Sequence, residues 1–279
     1  MVSILKGAIS QYDLWGWSLV AFFFITSAIF YDKPIGPALA GAIGIIGLMF
    51  LVGLAVEVLI ETIKHFRGVG TITGLLTNGP EALIVVIGLI KGDILFANST
   101  PLGSNFVNPL VLIVATLLLG SFKITLYRHI TYFTLTLLAT TAMAGSFFYL
   151  SEALYPVWIG VVLGVSLLLF VYRPQEKDEQ ADPDDQIPGL WSMPALVILT
   201  GAGYLLDPVV NFTSEASAAP KGLIGFAVLS FLSSWPEFKT VFALVSRQQY
   251  SAGILNTLVS NIINLWLALA GLSVYLLIA

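Results

Sequence analysis

Long apolar stretches recur along the whole chain, and they constrain its fold more than any other feature. Hydrophobic residues make up 57% of the 279 residues and charged residues only 10%, whereas a soluble domain has about 25% charged residues. A helix of roughly 20 apolar residues crosses the hydrocarbon core of a bilayer. This measure predicts an all-α integral membrane protein with nine helices, at 14–31, 37–63, 69–90, 94–120, 129–150, 153–171, 190–210, 222–245 and 250–276.

One aqueous, acidic stretch interrupts this pattern and divides the chain into unequal parts. The expected organisation is an additional N-terminal helix (1–36), a first half (37–172), an acidic cytoplasmic linker (173–189) and a second half (190–279). The chain contains no cysteine, which excludes disulfides and thiolate metal sites. The lipid bilayer is the expected surrounding, and no nucleic-acid partner is expected.

Lysine and arginine are distributed unequally between the two sides of the predicted bundle, and cytoplasmic loops normally carry the excess. The richer side collects Lys6, Lys64, Arg67, Lys123, Arg128, Arg173, Lys177 and Arg247. The other side receives Lys33, Lys91 and Lys221, and Lys239 falls inside a span. We therefore expect a cytoplasmic N-terminus, an outer C-terminus and a multi-pass protein of the plasma (inner) membrane.

Two polar motifs match each other when the chain is shifted by 156 residues, namely 77–108 and 233–264. Only seven of the 32 aligned positions are identical, and five of these are Pro, Glu, Ser, Asn and Asn. The helix of Glu81 follows a cytoplasmic loop, whereas the helix of Glu237 follows the outer loop at Lys221. The two repeats are therefore expected to have inverted topology, as in many transporters with a midplane site.

The residue types in these motifs suit a divalent cation. A carboxylate at mid-membrane costs at least ~2.5–3.5 kcal/mol, and Ca²⁺ prefers six to eight oxygen ligands. Glu81 and Glu237 supply two negative charges. Pro80 and Pro236 lack an N–H, so the carbonyls of Leu76 and Leu232 are expected to be free for a cation. The expected hydroxyl and amide ligands are Thr77, Asn78, Ser104, Asn105, Asn108, Ser233, Ser234, Ser260, Asn261 and Asn264.

The two Pro-Glu segments, each followed by Gly/Val-Ser-Asn-x-x-Asn, resemble the paired α-repeats of the cation/Ca²⁺ exchanger superfamily, over about 37–279. The resemblance implies an antiporter that exchanges Ca²⁺ for Na⁺ or H⁺, with Glu81 and Glu237 as central Ca²⁺ ligands. It implies a central amide at Asn108 and Asn264. Where Na⁺ is the counter-ion, it implies flanking Na⁺ sites formed by Thr77, Ser104, Ser233, Ser234 and Ser260.

Several positions depart from the family pattern. Asn78 matches proton-coupled members and Ser234 matches sodium-coupled ones, so the counter-ion stays open. Trp235 replaces a small residue beside the site. Lys239 follows Glu237 by two residues, which turns a helix by about 200° and is expected to point its side chain away.

The second half is short, since family members usually have two further helices after the second motif. Either partner chains supply this packing, with a homo-oligomer as one arrangement, or the scaffold is trimmed. Two alternatives to transport remain, a degenerate non-transporting membrane subunit and an intramembrane hydrolase using the carboxylate pair. The second is disfavoured because the sequence offers no nucleophile–base pairing, and we expect no enzymatic activity.

Overall fold

The fold consists of membrane-length helices with two interruptions. The computed structural model describes residues 11–63, 71, 74–75, 77–175 and 191–278, and all regular secondary structure in these ranges is helical. The helices are α1 (Gln11–Phe30), α2 (Ile35–Ile63), α3 (Gly79–Ile90), α4 (Ile94–Leu118), α5 (Phe122–Tyr127), α6 (Ile130–Phe147), α7 (Tyr155–Val171), α8 (Ser192–Ser217), α10 (Trp235–Ser246) and α11 (Tyr250–Ile278). The segment called α9 runs through Lys221–Leu223, a π-helix Ile224–Leu229 and Ser230–Ser233.

Within the described residues, seven helical segments are long and apolar enough to cross a membrane. They are α1, α2, α4, α6, α7 with the turn before it, α8 and α11. The two remaining predicted spans are 69–90 and 222–245. The first is interrupted before the 12-residue α3, and the second between α9 and α10. The predicted all-α membrane fold is therefore confirmed, while nine crossings and the inverted orientation of the repeats stay predictions.

Two hairpins, α3–α4 and α10–α11, turn with the same backbone geometry. Gly92 and Gln248 are 156 residues apart and both have left-handed φ angles, 69° and 63°. In each turn the next residue donates its N–H to a carbonyl five residues earlier, at 2.9 Å. Left-handed residues commonly end helices in this way. The repeat found in the polar residues therefore extends to the backbone of the two turns.

Glycines allow helices to cross closely at two related points. Gly103 of α4 lies against the backbone of Phe226 and the side chain of Ser230, both in α9. Gly74, which precedes α3, lies against Val259 and neighbouring backbone in α11. Ser230 and Val259 are the 156-residue equivalents of Gly74 and Gly103. The same helix crossing thus occurs twice. In the first the glycine lies on the long helix α4, and in the second it lies on the segment before α3.

Helix α8 is longer than predicted, since it continues through Pro208 to Ser217 instead of ending near 210. Thr213 and Val209 of α8 pack where Gly41 and Gly44 of α2 leave room for them. This packing stabilises the last turns of α8. Tertiary packing of this kind offsets the cost of about 3 kcal/mol that a proline imposes inside a helix.

Asp207 of α8 joins the ends of two other helices and is nearly buried. Its carboxylate lies 3.7 Å from Lys91 Nζ, just after α3, and 3.7 Å from Lys221 Nζ, at the start of α9. Asn211 also donates its side-chain N–H to this carboxylate, at 3.2 Å. Because one carboxylate holds both lysines, Lys91 and Lys221 lie at the same end of the bundle, as the loop charges predicted.

Helix α1 is attached to α10 through a buried acid. Asp13 is 2% exposed, and its Oδ1 lies 3.4 Å from Lys239 Nζ and accepts a hydrogen bond from Trp235 Nε1. The Trp235 ring also stacks on Phe238 with 5.1 Å between centroids. Lys239 therefore pairs with α1, in line with the expectation that it points away from Glu237. Trp235 likewise has its indole N–H directed at α1.

We expect Gln248→Gly to stabilise the protein by about 0.5–1 kcal/mol. Glycine adopts a positive φ without the steric penalty that glutamine carries. The thermal unfolding midpoint of purified protein in detergent measures the effect. Gln249→Gly is the matched control because Gln249 has no positive φ, and it should lower the midpoint. A fall in the midpoint for Gln248→Gly as large as for the control would contradict the assignment.

We expect Asp13→Asn to lower stability by up to about 3 kcal/mol, because it removes the negative charge that lies 3.4 Å from Lys239 Nζ. The loss is limited because the Lys239 side chain is 32% exposed and water screens it. The double variant Asp13→Asn/Lys239→Met should recover most of the loss. If the double variant is as unstable as the sum of both single variants, the ion pair does not couple α1 to α10.

Candidate functional site

The two glutamates of the repeated motif occupy equivalent positions just after the two helix interruptions. Glu81 is the third residue of α3 and Glu237 the third residue of α10, and both are fully buried. Pro80 and Pro236 are the second residues, where proline is tolerated because the first N–H groups of a helix have no partner. The positive end of each helix dipole offsets part of the cost of burying a carboxylate.

Glu81 accepts hydrogen bonds from both halves of the chain. Ser104 of α4, 23 residues further along, donates its hydroxyl to Glu81 Oε1 at 2.9 Å. Ser233, at the end of α9, also hydrogen-bonds to this carboxyl group. The two hydroxyl oxygens lie 3.4 Å apart. Glu81 is thus held by one serine of its own repeat and one of the other repeat.

Glu237 is bound in the reciprocal way. Ser260 of α11, again 23 residues further along, has its hydroxyl 3.3 Å from Glu237 Oε1. Thr77 of the first repeat hydrogen-bonds to the same carboxyl group. Thr77 and Ser233 are equivalent under the 156-residue shift. Each carboxyl group therefore receives one hydroxyl from its own repeat and one, at the equivalent position, from the other.

Each carboxyl group keeps one oxygen that no described residue hydrogen-bonds. Glu81 Oε2 and Glu237 Oε2 are both buried and without a hydrogen-bond partner among the described residues. The two groups interact electrostatically with each other. Buried polar atoms in native proteins nearly always have a partner, and an exception calls for an explanation. A cation bound at these oxygens would provide one.

Amide side chains connect the two repeats beside the carboxyl groups. Asn108 donates its amide N–H groups to Ser260 Oγ at 2.9 Å and to Asn261 Oδ1 at 3.1 Å. Asn261 in turn donates to the backbone carbonyl of Asn105 and to Thr140 Oγ1, both at 3.3 Å. The side-chain oxygens of Asn108 and Asn105 have no partner among the described residues. They are therefore free to face a cation.

Most of the residues predicted from the sequence lie in two buried hydrogen-bonded clusters, which the electrostatic interaction of the two carboxyl groups links. One cluster contains Glu81, Ser104 and Ser233. The other contains Glu237, Thr77, Asn78, Asn105, Asn108, Ser260 and Asn261. Ser234 and Asn264 are fully buried, with no partner for the Ser234 hydroxyl or the Asn264 amide in the described part of the chain.

The structure describes only one of the two leucines whose carbonyls the sequence predicted as ligands. Leu76 lies outside the described residues. The side chain of Leu232 packs into an apolar cluster, and Pro236, four residues later, has no N–H to offer its carbonyl. A role for the Leu232 carbonyl as a ligand stays a prediction.

The structure also buries polar residues that the sequence analysis did not single out. Thr140 of α6 joins the network through Asn261, and Thr141 donates to the Asn105 carbonyl at 3.4 Å. Asn98 and Asn256 are fully buried, and neither side-chain amide has a partner among the described residues. Polar residues inside predicted spans were the available signal, although threonine in a membrane helix commonly bonds its own backbone instead.

The oxygen-rich composition of the site suits a hard cation. No group of three or more His, Cys, Asp or Glu side chains occurs in the described ranges, so the ligands on offer here are two carboxylates with hydroxyl, amide and carbonyl oxygens. Ca²⁺ accepts such a mixed set, whereas transition metals favour nitrogen and sulfur donors.

No protein-family profile matches the sequence, and no curated protein matches it. Among solved structures, the chain is similar to the crystal structure of an H⁺/Ca²⁺ exchanger, CAX, with a TM-score of 0.50. The alignment covers 96% of this chain and 74% of that chain at 18% sequence identity. This likeness shows that the chain has a fold like that of the exchanger.

Proposed function

We propose that the protein is a secondary antiporter that carries Ca²⁺ across a membrane in exchange for Na⁺ or H⁺. The observation that carries the proposal is the reciprocal binding of two buried carboxyl groups, each with one oxygen that no described residue hydrogen-bonds. Similarity in fold to an H⁺/Ca²⁺ exchanger supports it. Glu81 and Glu237 are the proposed central ligands.

Charge balance explains why such a site exchanges ions instead of releasing one. Two ionised carboxylates match one Ca²⁺, and leaving both bare inside a bilayer is costly. Monovalent cations that occupy the same oxygens offset this cost after Ca²⁺ leaves. Binding of Ca²⁺ and of the counter-cation is then mutually exclusive, and only a loaded carrier changes conformation.

The two halves, 37–172 and 190–279, are the proposed moving units, related by inverted topology. The shared turn geometry and the equivalent glycine crossings support a common origin for their hairpins. Inverted repeats give a midplane site access to each membrane face in turn. The proposed location is the plasma (inner) membrane with a cytoplasmic N-terminus.

The remaining oxygens are proposed to complete the cation sites. Asn108 and Asn264 would supply central amide oxygens. The flanking oxygens would come from Thr77, Asn78, Ser104, Asn105, Ser233, Ser234, Ser260 and Asn261, with the carbonyls of Leu76 and Leu232.

We expect Glu81→Gln and Glu237→Gln each to weaken Ca²⁺ binding at least about 100-fold and to abolish exchange. One charge at 4 Å from another is worth about 4 kcal/mol at an effective dielectric constant near 20, and about 1.4 kcal/mol corresponds to a factor of ten. The measurement is isotopic Ca²⁺ uptake into vesicles of purified protein, driven in separate samples by an outward Na⁺ or H⁺ gradient.

Glu215→Gln is the matched control, because Glu215 is an exposed carboxylate on α8, and it should leave uptake unchanged. Folding of every variant is checked by its elution as a single species in detergent. Ca²⁺ uptake that persists in both site variants would contradict the proposal. Absence of uptake and of Ca²⁺ binding in the unmodified protein would favour a non-transporting subunit.

A further inference from the structure

A fully buried amide lies between the carboxyl pair and the Lys91–Lys221 end of the bundle. Asn98 is the fifth residue of α4, a helix that begins three residues after Lys91. Its side-chain oxygen and nitrogen are both without a hydrogen-bond partner among the described residues. An amide left unpaired in an apolar environment costs free energy, and native proteins keep few such groups.

Helix packing does not require an amide at this place. A methyl group at Gly271 of α11 would lie 2.8 Å from Asn98 Oδ1 and 3.0 Å from a side-chain carbon of Val85 of α3, so these three residues meet at one crossing. The 156-residue shift relates them to three members of one apolar cluster, Ala115, Ile254 and Val241. The other repeat therefore packs the equivalent crossing without a polar side chain.

The backbone next to Asn98 also has an acceptor that lacks its usual partner. Pro101 lies inside α4 and has no N–H, so the Ala97 carbonyl loses the hydrogen bond from the residue four positions later. Thr257, the equivalent of Pro101, keeps its N–H. The Asn98 amide and the Ala97 carbonyl thus place two groups that water could satisfy on neighbouring residues.

Asn98 is aligned with the carboxyl site along α4. Asn105 follows it by seven residues, which is almost two full turns, so the two side chains project in nearly the same direction about 10 Å apart along the helix. On α11, Asn264 precedes Gly271 by the same seven residues. The side-chain amides of Asn105 and Asn264 also lack partners within the described ranges. Unpaired amides therefore continue from the site toward the Lys91–Lys221 end.

Water reaches none of these groups in the conformation that the structure shows. Asn98, Asn105, Glu81 and Glu237 are each 0% exposed, so the bundle is closed between the Lys91–Lys221 end and the carboxyl pair. A buried amide without partners raises the free energy of this closed state, and water would supply its missing hydrogen bonds if the bundle opened here.

We infer that Asn98 lies on the route by which water and cations reach the carboxyl pair from the Lys91–Lys221 end, and that its amide is hydrated when this end is open. The inference rests on the proposed function. The amide favours opening because it gains hydrogen bonds to water. Its oxygen also replaces part of the hydration shell of a passing cation, as polar groups that line ion pathways do.

The first test measures the access of water to position 98. The chain contains no cysteine, so one introduced cysteine reports on one position. We expect Asn98→Cys, in vesicles with a charged methanethiosulfonate on both sides, to react at least about tenfold faster than Ile254→Cys, because a thiol enclosed by apolar groups is inert. Ile254 is the matched control, since it is the equivalent residue and is equally buried.

The second test replaces the amide by an apolar side chain of similar shape. We expect Asn98→Leu to slow Ca²⁺ uptake about tenfold, because hydration of the amide no longer favours opening. Equilibrium binding of isotopic Ca²⁺ in detergent should stay unchanged, since Asn98 is too far from the carboxyl pair to be a ligand. The thermal unfolding midpoint should stay the same or rise. Ile254→Leu is the control and should alter none of these properties.

The outcomes separate this inference from the antiporter proposal. If Asn98→Cys reacts as slowly as Ile254→Cys, or if Asn98→Leu transports Ca²⁺ at the unmodified rate, the inference is wrong and the antiporter proposal stands. If the unmodified protein neither binds nor transports Ca²⁺, the antiporter proposal is wrong and a route for cations falls with it. Should Asn98→Leu not fold, the labelling of Asn98→Cys decides.

Discussion

Two carboxyl groups buried among apolar helices are the feature on which the rest of this structure depends. Among the described residues, no positive side chain contacts the Glu81 or the Glu237 carboxyl group. Hydroxyl groups and helix N-termini stabilise the negative charge instead, and both helices begin two residues before the glutamates. The middle of an unbroken helix would offer the carboxylates no free N–H groups. The interruptions therefore follow from the need to stabilise charge inside a bilayer.

The sequence predicted which residues belong to the site but not which of them pair. It placed Glu81, Ser104, Glu237 and Ser260 in one cation site, and the structure shows hydrogen bonds between Glu81 and Ser104 and between Glu237 and Ser260. The bonds from Ser233 and Thr77 join opposite repeats, so their pairing depends on tertiary packing that spacing does not encode. Thr140 was missed for the same reason, since its helix lies outside both motifs.

Fold predictions succeeded for features that hydrophobicity alone determines. They failed for helix ends and side-chain directions that depend on packing against neighbouring helices. Apolar length identified the membrane helices, because the bilayer imposes that length on any sequence. It did not reveal that α8 continues through Pro208, which depends on the small residues of α2 opposite Thr213. It also did not show where Trp235 points, because that direction is set by Asp13 on a distant helix.

The ion cluster at Asp207 has a mechanical consequence. One carboxylate holds a lysine from the end of the helix that carries Glu81 and a lysine from the start of the segment that leads to Glu237. Separating these elements at that face breaks two charge contacts on a single, nearly buried acid at once. Opening of the bundle at that end therefore requires both ion pairs to break together.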